Sequence, residues 1–440
     1  MKAAVVGAGP TGLYLAMTLA RRGHQVQLVE RDPGPVSPES WPRKGVMQFH
    51  APHGFRMQVH DALAAELPDV LDQLVADGAE RIRIPELPGA VISVRCRRTV
   101  FERRLRAAAG VEPGVEFVLG GADALRIQRG RVVGLTVDGR EFDADLVIDA
   151  SGRGGRLGDN VRAPAVGGSC GVAYISRTYR LRRGAEPGPF NAPVGLIGSY
   201  DGYRAFVFAH EHGNFSTLIM RLTTDAELAR LRSSVAYDAA TRVIPELAVW
   251  ADPARARPTS AVRPGAGLRN AYRGQLGPSG GVAAVGAFFV GDSVCITNPS
   301  AGRGVATSLL QARELLRLLD VHGDDHESSA LALEAYNTEQ IRPWFDDHVA
   351  MDADQIRRWN GADVDASRLL PSDLICAASE ADPSMGATIG RYLAMIAPPQ
   401  TLTEIEPRAR ELYAGGWRPP VPDGPTRNEL AALVRETLAA

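Results

Sequence analysis

The chain has 440 residues, a formal net charge of −2, 45% hydrophobic and 23% charged residues. That is long enough for two well-buried cores, and the balance is that of an ordinary globular protein with no basic surface for nucleic acid. Of 49 basic residues only Lys2 and Lys44 are lysine, so chemistry that needs an amine has almost no candidate.

Lys2 to Val6 is a β-branched and alanine run suited to a buried parallel strand. Gly7-Ala8-Gly9-Pro10-Thr11-Gly12 follows, and then Leu13, Leu15, Ala16, Leu19 and Ala20 recur at helical spacing. Gly23 ends that helix, and Gln25 to Glu30 is a second strand. This is the context that a dinucleotide fingerprint requires. Gly7 permits the tight turn, Gly9 lets a pyrophosphate approach the backbone, and Gly12 allows close packing of helix on strand. The helix N-terminus faces the phosphates. Glu30 can accept from the ribose hydroxyls and would repel a 2′-phosphate. The fingerprint alone does not separate FAD from NAD.

A Pro/Ser loop spans 33–42, and Arg43-Lys44-Gly45-Val46 leads to His50. His60 to Ala76 is helical, split at Pro68. A strand at 91–94, a helix at 99–109, a strand at 115–119 and a hairpin turning at Arg129-Gly130 come next. Another buried strand ends in Asp149-Ala150-Ser151-Gly152-Arg153-Gly154. From about residue 165 the pattern is alternating and rich in β formers: 171–181, 194–200, 203–210 and 215–222. These segments predict an antiparallel sheet on the substrate side. A helix at 225–242 and a Pro-rich stretch at 245–264 follow. Strand, turn and helix return at Gly281–Val290, Gly291-Asp292 and Thr307–Leu319. A long helical region covers 328–359, then a Pro/Gly-rich tail at 397–426 and a closing helix.

The fold class expected is α/β: a Rossmann-type FAD-binding domain, an inserted antiparallel substrate domain and C-terminal helices. The expected boundaries are 1–164, 165–278, 279–325 and 326–440. Cys96, Cys170, Cys295 and Cys376 form no CxxC pair, so neither a metal site nor a disulfide framework is expected, and a cytoplasmic setting fits. No apolar run reaches the roughly 18 residues of a membrane span. His50 and His53 make a His-x-x-His pair without a third ligand nearby. His50, Arg177 and Tyr179 are candidate substrate contacts, the last two balanced against plain sheet pairing. For Cys295 packing is favoured over reactivity.

In the second strand–turn–helix, Asp292 could accept a ribityl hydroxyl. Gly302 and Gly304 would let backbone N–H groups reach a planar ring at a helix N-terminus. Taken together, GAGPTG with Glu30-Arg31, the strand-end Asp149-Ala150-Ser151-Gly152, and Gly291-Asp292 with Pro299-Ser300-Ala301-Gly302-Arg303-Gly304 resemble the para-hydroxybenzoate hydroxylase-like flavoprotein superfamily. The resemblance spans roughly residues 1–320. It implies non-covalent FAD held by Gly7, Gly9, Pro10, Thr11, Gly12, Glu30, Arg31, Arg43, Arg98, Asp149, Gly291 and Asp292. It also implies an isoalloxazine lying against Pro299, Gly302, Gly304 and Val305; the backbones of Pro299, Gly302 and Gly304 are the catalytic candidates.

Two motifs depart from the aromatic hydroxylases. Their Asp-Gly pair is altered at Asp149-Ala150, and their Gly-Asp-Ala-Ala-His reads Gly291-Asp292-Ser293-Val294-Cys295. Both variants look more like two-component styrene and indole monooxygenases and flavin epoxidases of polyketide pathways. The implied activity is insertion of one oxygen atom from O₂ into an apolar or aromatic small molecule through a flavin C4a-hydroperoxide. With no second strand–GxGxxG–helix unit, electrons are expected from transient NAD(P)H docking or, preferentially, a separate flavin reductase. The rivals are a reductase of the geranylgeranyl type, whose Tyr-x-Trp-x-Phe-Pro segment is absent, and a non-catalytic FAD-binding protein. A halogenase is disfavoured by the missing Trp-x-Trp-x-Ile-Pro segment and the scarcity of lysine.

Overall fold

The computed structural model describes every residue except 38, 39, 44 and 86–88. Lys44 and part of the Pro/Ser loop therefore lie outside the described residues. The nucleotide sheet has five parallel strands, in the order Ala287–Phe289, Leu146–Asp149, Lys2–Val6, Gln25–Glu30 and Val115–Leu119. Val5, Leu28, Leu146 and Ile148 are fully enclosed, as expected for strands covered on both faces. Helix Pro10–Arg21 and the long helix Gly304–His322 pack on one face and on each other. The strand 287–289 is shorter than the apolar run 281–290 suggests, because Gly286 takes a φ of 93° just before it.

The second layer is a six-stranded, antiparallel sheet. Gly195–Tyr200, Tyr203–Ala209, Asn214–Leu222, Val172–Leu181 and Ala256–Pro258 lie side by side, and Arg263–Gly265 also pairs with Val172–Leu181. The last two strands come from the Pro-rich stretch 245–264, which also contributes helix Pro245–Ala251. Proline there occupies a helix N1 position and edge strands, where its missing N–H costs little. Phe215, Tyr237 and Trp250 fill the core behind this sheet.

Two connections differ from the expected boundaries. Strand Cys295–Ile296 pairs with Arg269–Tyr272 in a separate three-stranded sheet, tying the segment after Gly291-Asp292 to residues that precede it. The closing helix, Arg427–Ala439, packs Leu430, Ala431 and Val434 into the core behind the antiparallel sheet, not among the other C-terminal helices. A capping box at Thr426 and Glu429 fixes its start, and Arg427 pairs with Asp225 at 2.7 Å. Among the described residues no helix is long and apolar enough to cross a membrane.

Candidate active site

The groove begins where Lys2–Val6 meets Pro10–Arg21. Gly7 has a φ of 100°, a conformation costly for any residue with a side chain. A Cβ on Gly12 would sit 1.8 Å from the Gly7 carbonyl oxygen, whereas one on Gly9 would meet nothing within 4 Å. Two glycines thus hold the turn closed and one leaves a space open. Pro10 opens the helix and no side chain caps it, so its first-turn N–H groups face that space. Thr11 is buried beside Gly291, where the two strand ends meet.

Glu30 closes the second strand, and its Oε2 accepts from Ala8 N at 2.7 Å while Oε1 accepts from Asp32 N at 2.9 Å. Oε2 also accepts from Arg43, which leaves a lone pair on Oε1 for a ribose hydroxyl. Arg43 is 5% exposed and bonds the Ala8 carbonyl at 2.7 Å, Glu30 and the fully enclosed Glu102. Glu102 also accepts from Arg98, which reaches His53 Nε2 at 3.1 Å. Arg43 and Arg98 are therefore joined through one buried carboxylate, which neutralises part of their charge. Arg31 lies against Gly45.

Asp149 and Asp292 divide the work at the other strand ends. Asp149 is buried and turned onto Ser151, accepting from its N–H at 2.9 Å and from its hydroxyl. Its carboxylate shapes the turn and does not project into the groove. Asp292 is open to solvent, yet protein atoms crowd it, as on the floor of a groove. Burial raises its pKa, opposed by the facing charges of Arg98 and Arg153. Asp292 thus has the accessible acceptor that a sugar-like hydroxyl needs.

The 3₁₀ turn Pro299–Ala301 and helix Gly304–His322 form the far end. Gly302 has a φ of 61°, and a Cβ on Gly304 would meet nothing within 4 Å. No side chain caps the helix, so its dipole and free N–H groups face the open space; Val305 packs against the core. The turn is clamped from behind. Arg56 donates twice to the Ala301 carbonyl and once to that of Leu393. Burial and the nearby Arg303 charge push the Arg56 pKa down to about 9. Arg303 pairs with Asp347 at 2.7 Å and lies over the rings of Trp344 and Tyr392.

Pro299 and Ser300 also line a cavity with about 750 Å³ of empty space, its open mouth included. Its walls come from Gln48, His50 and His53, from Tyr174 and Ser176, from Phe206, Phe208 and Leu218, and from Arg263. His50 and His53 are neutral at physiological pH: burial, with Arg263 beside His50 and Arg98 beside His53, pushes them down to about 4 and about 3.

The strand 172–181 alternates, so Tyr174 and Ser176 face this cavity and Tyr179 faces the opposite core, stacked on Phe215 at 5.3 Å. Arg177 pairs with Asp238 and donates to the Ser260 carbonyl at 3.0 Å. Of the three candidate substrate contacts only His50 lies on the cavity. Cys295 is buried in a core and burial raises its thiol pKa. Tyr174, Arg263 and Arg56 had no motif to mark them. Their one sequence signal is strand alternation at Tyr174, and alternation alone does not say which parity faces the pocket.

The geometry defines a two-part architecture, a dinucleotide groove opening onto an apolar pocket under an antiparallel sheet. Residues 5–73 match the NAD(P)-binding Rossmann-like domain family. Residues of this chain are 47% identical over 49 positions to D-amino acid dehydrogenase 2 of Ralstonia nicotianae, a match covering 11% of this chain and 12% of that protein. The whole architecture is similar to the flavin-dependent brominase Bmp2, with a TM-score of 0.67 at 16% identity over 95% of this chain and 100% of the other. It is also similar to PqsL, a probable FAD-dependent monooxygenase from Pseudomonas aeruginosa (TM-score 0.58, 13% identity, 82% and 98% covered). The myxobacterial chondrochloren halogenase CndH gives 0.60 at 16% identity, over 93% and 96%. The chain therefore has the fold that these flavin-dependent structures share.

Proposed function

We propose that the chain is an FAD-dependent monooxygenase acting on an apolar or aromatic small molecule. One observation carries this: Pro299 and Ser300 belong both to the turn that ends the flavin groove and to the wall of the pocket. A planar ring in the groove and a substrate in the pocket would therefore meet at that turn. Gly9 and the uncapped helix 10–21 would take the pyrophosphate, Glu30 the ribose, Asp292 the ribityl chain, and Gly302 with Gly304 the ring. FAD bound there would supply the redox chemistry with O₂.

The residues of the chain do the rest. The uncapped helix 304–322 points its N–H groups at the ring end, where electron-rich atoms gain roughly 0.3–2 kcal/mol from the dipole. Arg56 and Asn298 hold the turn rigid from behind and beside it. Phe206, Phe208 and Leu218 exclude water from the reacting face. His50 and His53, held neutral, leave Arg263 as the cation on the pocket wall, and it has no carboxylate partner among the described residues.

Electrons would come from NAD(P)H directly or through a separate flavin reductase, and the altered Asp149-Ala150 motif favours the reductase. Halogenation is a second reading, because two similar structures are halogenases. Lys2 argues against an active-site amine from that end, since it starts a strand beside Asp145. Turnover under ¹⁸O₂ with bromide present separates the two. One ¹⁸O atom in the product supports oxygen insertion, a brominated product supports the second reading, and flavin reoxidation with no product from any candidate rejects both.

A further inference from the structure

A second cavity, of about 580 Å³ and open to solvent, lies at the C-terminal end of strand Val172–Leu181. Its lining shares no residue with the pocket beside Pro299. Arg180 stands on the strand, Arg182 and Arg183 on the turn that follows, and Arg257 on the neighbouring strand Ala256–Pro258. His212 and Gly213 close one side, and among the described residues no carboxylate lines the cavity. Arg180 and Arg257 are directly opposite each other in the antiparallel pair, so both side chains leave the same face of the sheet. That face is the reverse of the one that buries Tyr179 in the core.

Like charges directly opposite each other destabilise a sheet. The chain does not lack counter-charge, with 51 acidic against 49 basic residues. Other surface arginines are answered: Arg104 pairs with Asp77 at 2.7 Å, Arg126 with Asp143 at 2.6 Å and Arg427 with Asp225 at 2.7 Å. On the same strand Arg177 pairs with Asp238. Arg180, Arg183 and Arg257 have no ion pair and no side-chain hydrogen bond among the described residues. Arg182 is anchored, its Nε donating to the Pro253 carbonyl at 2.8 Å, but a carbonyl leaves its charge unbalanced. The opposite side is pinned as well. His212 takes a φ of 55°, and its Nε2 donates to the Asp77 carbonyl at 3.1 Å, since a carbonyl can only accept. Sheet register, one anchored arginine and a fixed turn therefore hold four positive charges around a hollow. Concave walls of one sign focus the field and draw in anions.

We propose that this cavity binds an organic diphosphate, with the guanidinium groups of Arg180, Arg182 and Arg257 on its phosphate oxygens. Directly opposed residues have Cβ atoms about 4.5–5.5 Å apart, and residues two apart along a strand are roughly 6.6 Å apart. Two adjacent phosphates place several negative charges within that span, which a single carboxylate does not. The planar fork of arginine also matches phosphate oxygens in pairs. Inside a hollow a compact anion is reached from several sides at once, whereas a flat acidic protein surface would meet only the rim. Leu181 and Ala185 offer apolar atoms to the organic part. This binding is independent of the monooxygenase reading and is measured without turnover.

The test is calorimetry on FAD-saturated holoenzyme with inorganic pyrophosphate, orthophosphate, ADP and NAD⁺ at constant ionic strength. Pyrophosphate is expected to bind to a single site at least about tenfold more tightly than orthophosphate, because it adds charge-assisted hydrogen bonds. ADP and NAD⁺ carry a pair of adjacent phosphates on different organic groups, and whichever binds more tightly than pyrophosphate identifies the source. Arg180→Gln combined with Arg257→Gln should weaken pyrophosphate binding at least about tenfold. Flavin content should not change, and the melting midpoint should hold or rise, because two opposed like charges are gone. Arg242→Gln, at an exposed arginine outside the cavity, should leave affinity within about twofold. No binding of pyrophosphate, equal affinity for orthophosphate, failure of both ADP and NAD⁺ to bind, affinity that survives the double substitution, or an equal loss in Arg242→Gln would each overturn the proposal.

Discussion

The dinucleotide groove and the apolar pocket meet at one turn but are built from different materials. The groove is made mainly of backbone: Gly7, Gly9, Gly12, Gly302 and Gly304, with two uncapped helix N-termini, and the carboxylates of Glu30 and Asp292 beside them. The pocket is made of side chains from segments far apart in sequence, 47–53, 174–218, 263–265 and 299–300. A backbone site needs specific glycines at fixed spacing, because only they permit the turns and approaches. A side-chain site tolerates many solutions of similar volume and leaves no spacing to recognise. The difference separates what is common to the fold from what can be particular to this chain.

Substitution within the first glycine motif should break the comparison most sharply. Gly12→Ala puts a Cβ against the Gly7 carbonyl oxygen and should cost about 3 kcal/mol of stability, seen as a lowered melting midpoint. Gly9→Val is different, since Gly9 has an extended conformation and open space beyond its Cα. That protein should fold with its melting midpoint intact in the apo form, yet purify colourless. A yellow Gly9→Val protein with a full complement of FAD would remove the pyrophosphate from this turn.

Glu102→Gln tests the buried joint between the two regions. Its carboxylate answers both Arg43 and Arg98 with no exposure to solvent. Removing the charge leaves two arginines competing for a neutral amide, at a cost of about 3–5 kcal/mol in urea unfolding. A loss under 1 kcal/mol would mean that Glu30 and solvent compensate.

The sequence made the groove legible because its signals are local. A strand, GAGPTG, a helix and Glu30 lie within 30 residues, and Gly291-Asp292 with Pro299 to Gly304 repeat the pattern. The hairpin at Arg129-Gly130 was legible for the same reason, with φ values of 51° and 76° at the two turn residues. The pocket was not. Tyr174 and Tyr179 both alternate along one strand, and only the partner layer decides which face is the core. Asn298 and Asp352 are 54 residues apart and meet only because helix Arg342–Trp359 crosses the returning flavin motif. The closing helix was legible as a helix, but its docking site behind the antiparallel sheet depends on Leu430 and Val434 finding a core that no local pattern names.

Gly304→Val sharpens the comparison at the shared turn. The position has open space beyond its Cα and opens a helix, so the fold should tolerate the substitution. The branched side chain would occupy the place of the ring. Coupling of cofactor oxidation to product should fall, with hydrogen peroxide rising roughly tenfold, a loss equivalent to about 1.4 kcal/mol of transition-state discrimination. FAD affinity should fall less, because Gly9 and Glu30 grip the other end. Parent-like coupling at full FAD occupancy would show that this segment does not face the reacting ring.

The mildest effect is on pH, and the two regions should answer acid in opposite directions. His53 and His210 lie by the pocket wall and behind it, and burial, aided by the charges of Arg98 and Arg97, pushes both down to about 3. Their pKa values in the unfolded chain are about 6.5. Between pH 6.5 and 4 the unfolded chain therefore takes up protons that the folded one refuses. The stability these histidines contribute is fully present above pH 6.5 and is lost as the pH falls toward 3, at roughly 1.4 kcal/mol per pH unit for each group. Asp149 and Asp292, on the groove side, have pKa values raised by burial. The folded protein takes up those protons first, so acid relieves a cost there and partly offsets the loss. His53→Gln removes one titrating group from the pocket wall and should flatten the slope of unfolding free energy against pH by about one proton. An unchanged slope in that variant would mean that His53 titrates in the folded protein as it does in the unfolded chain.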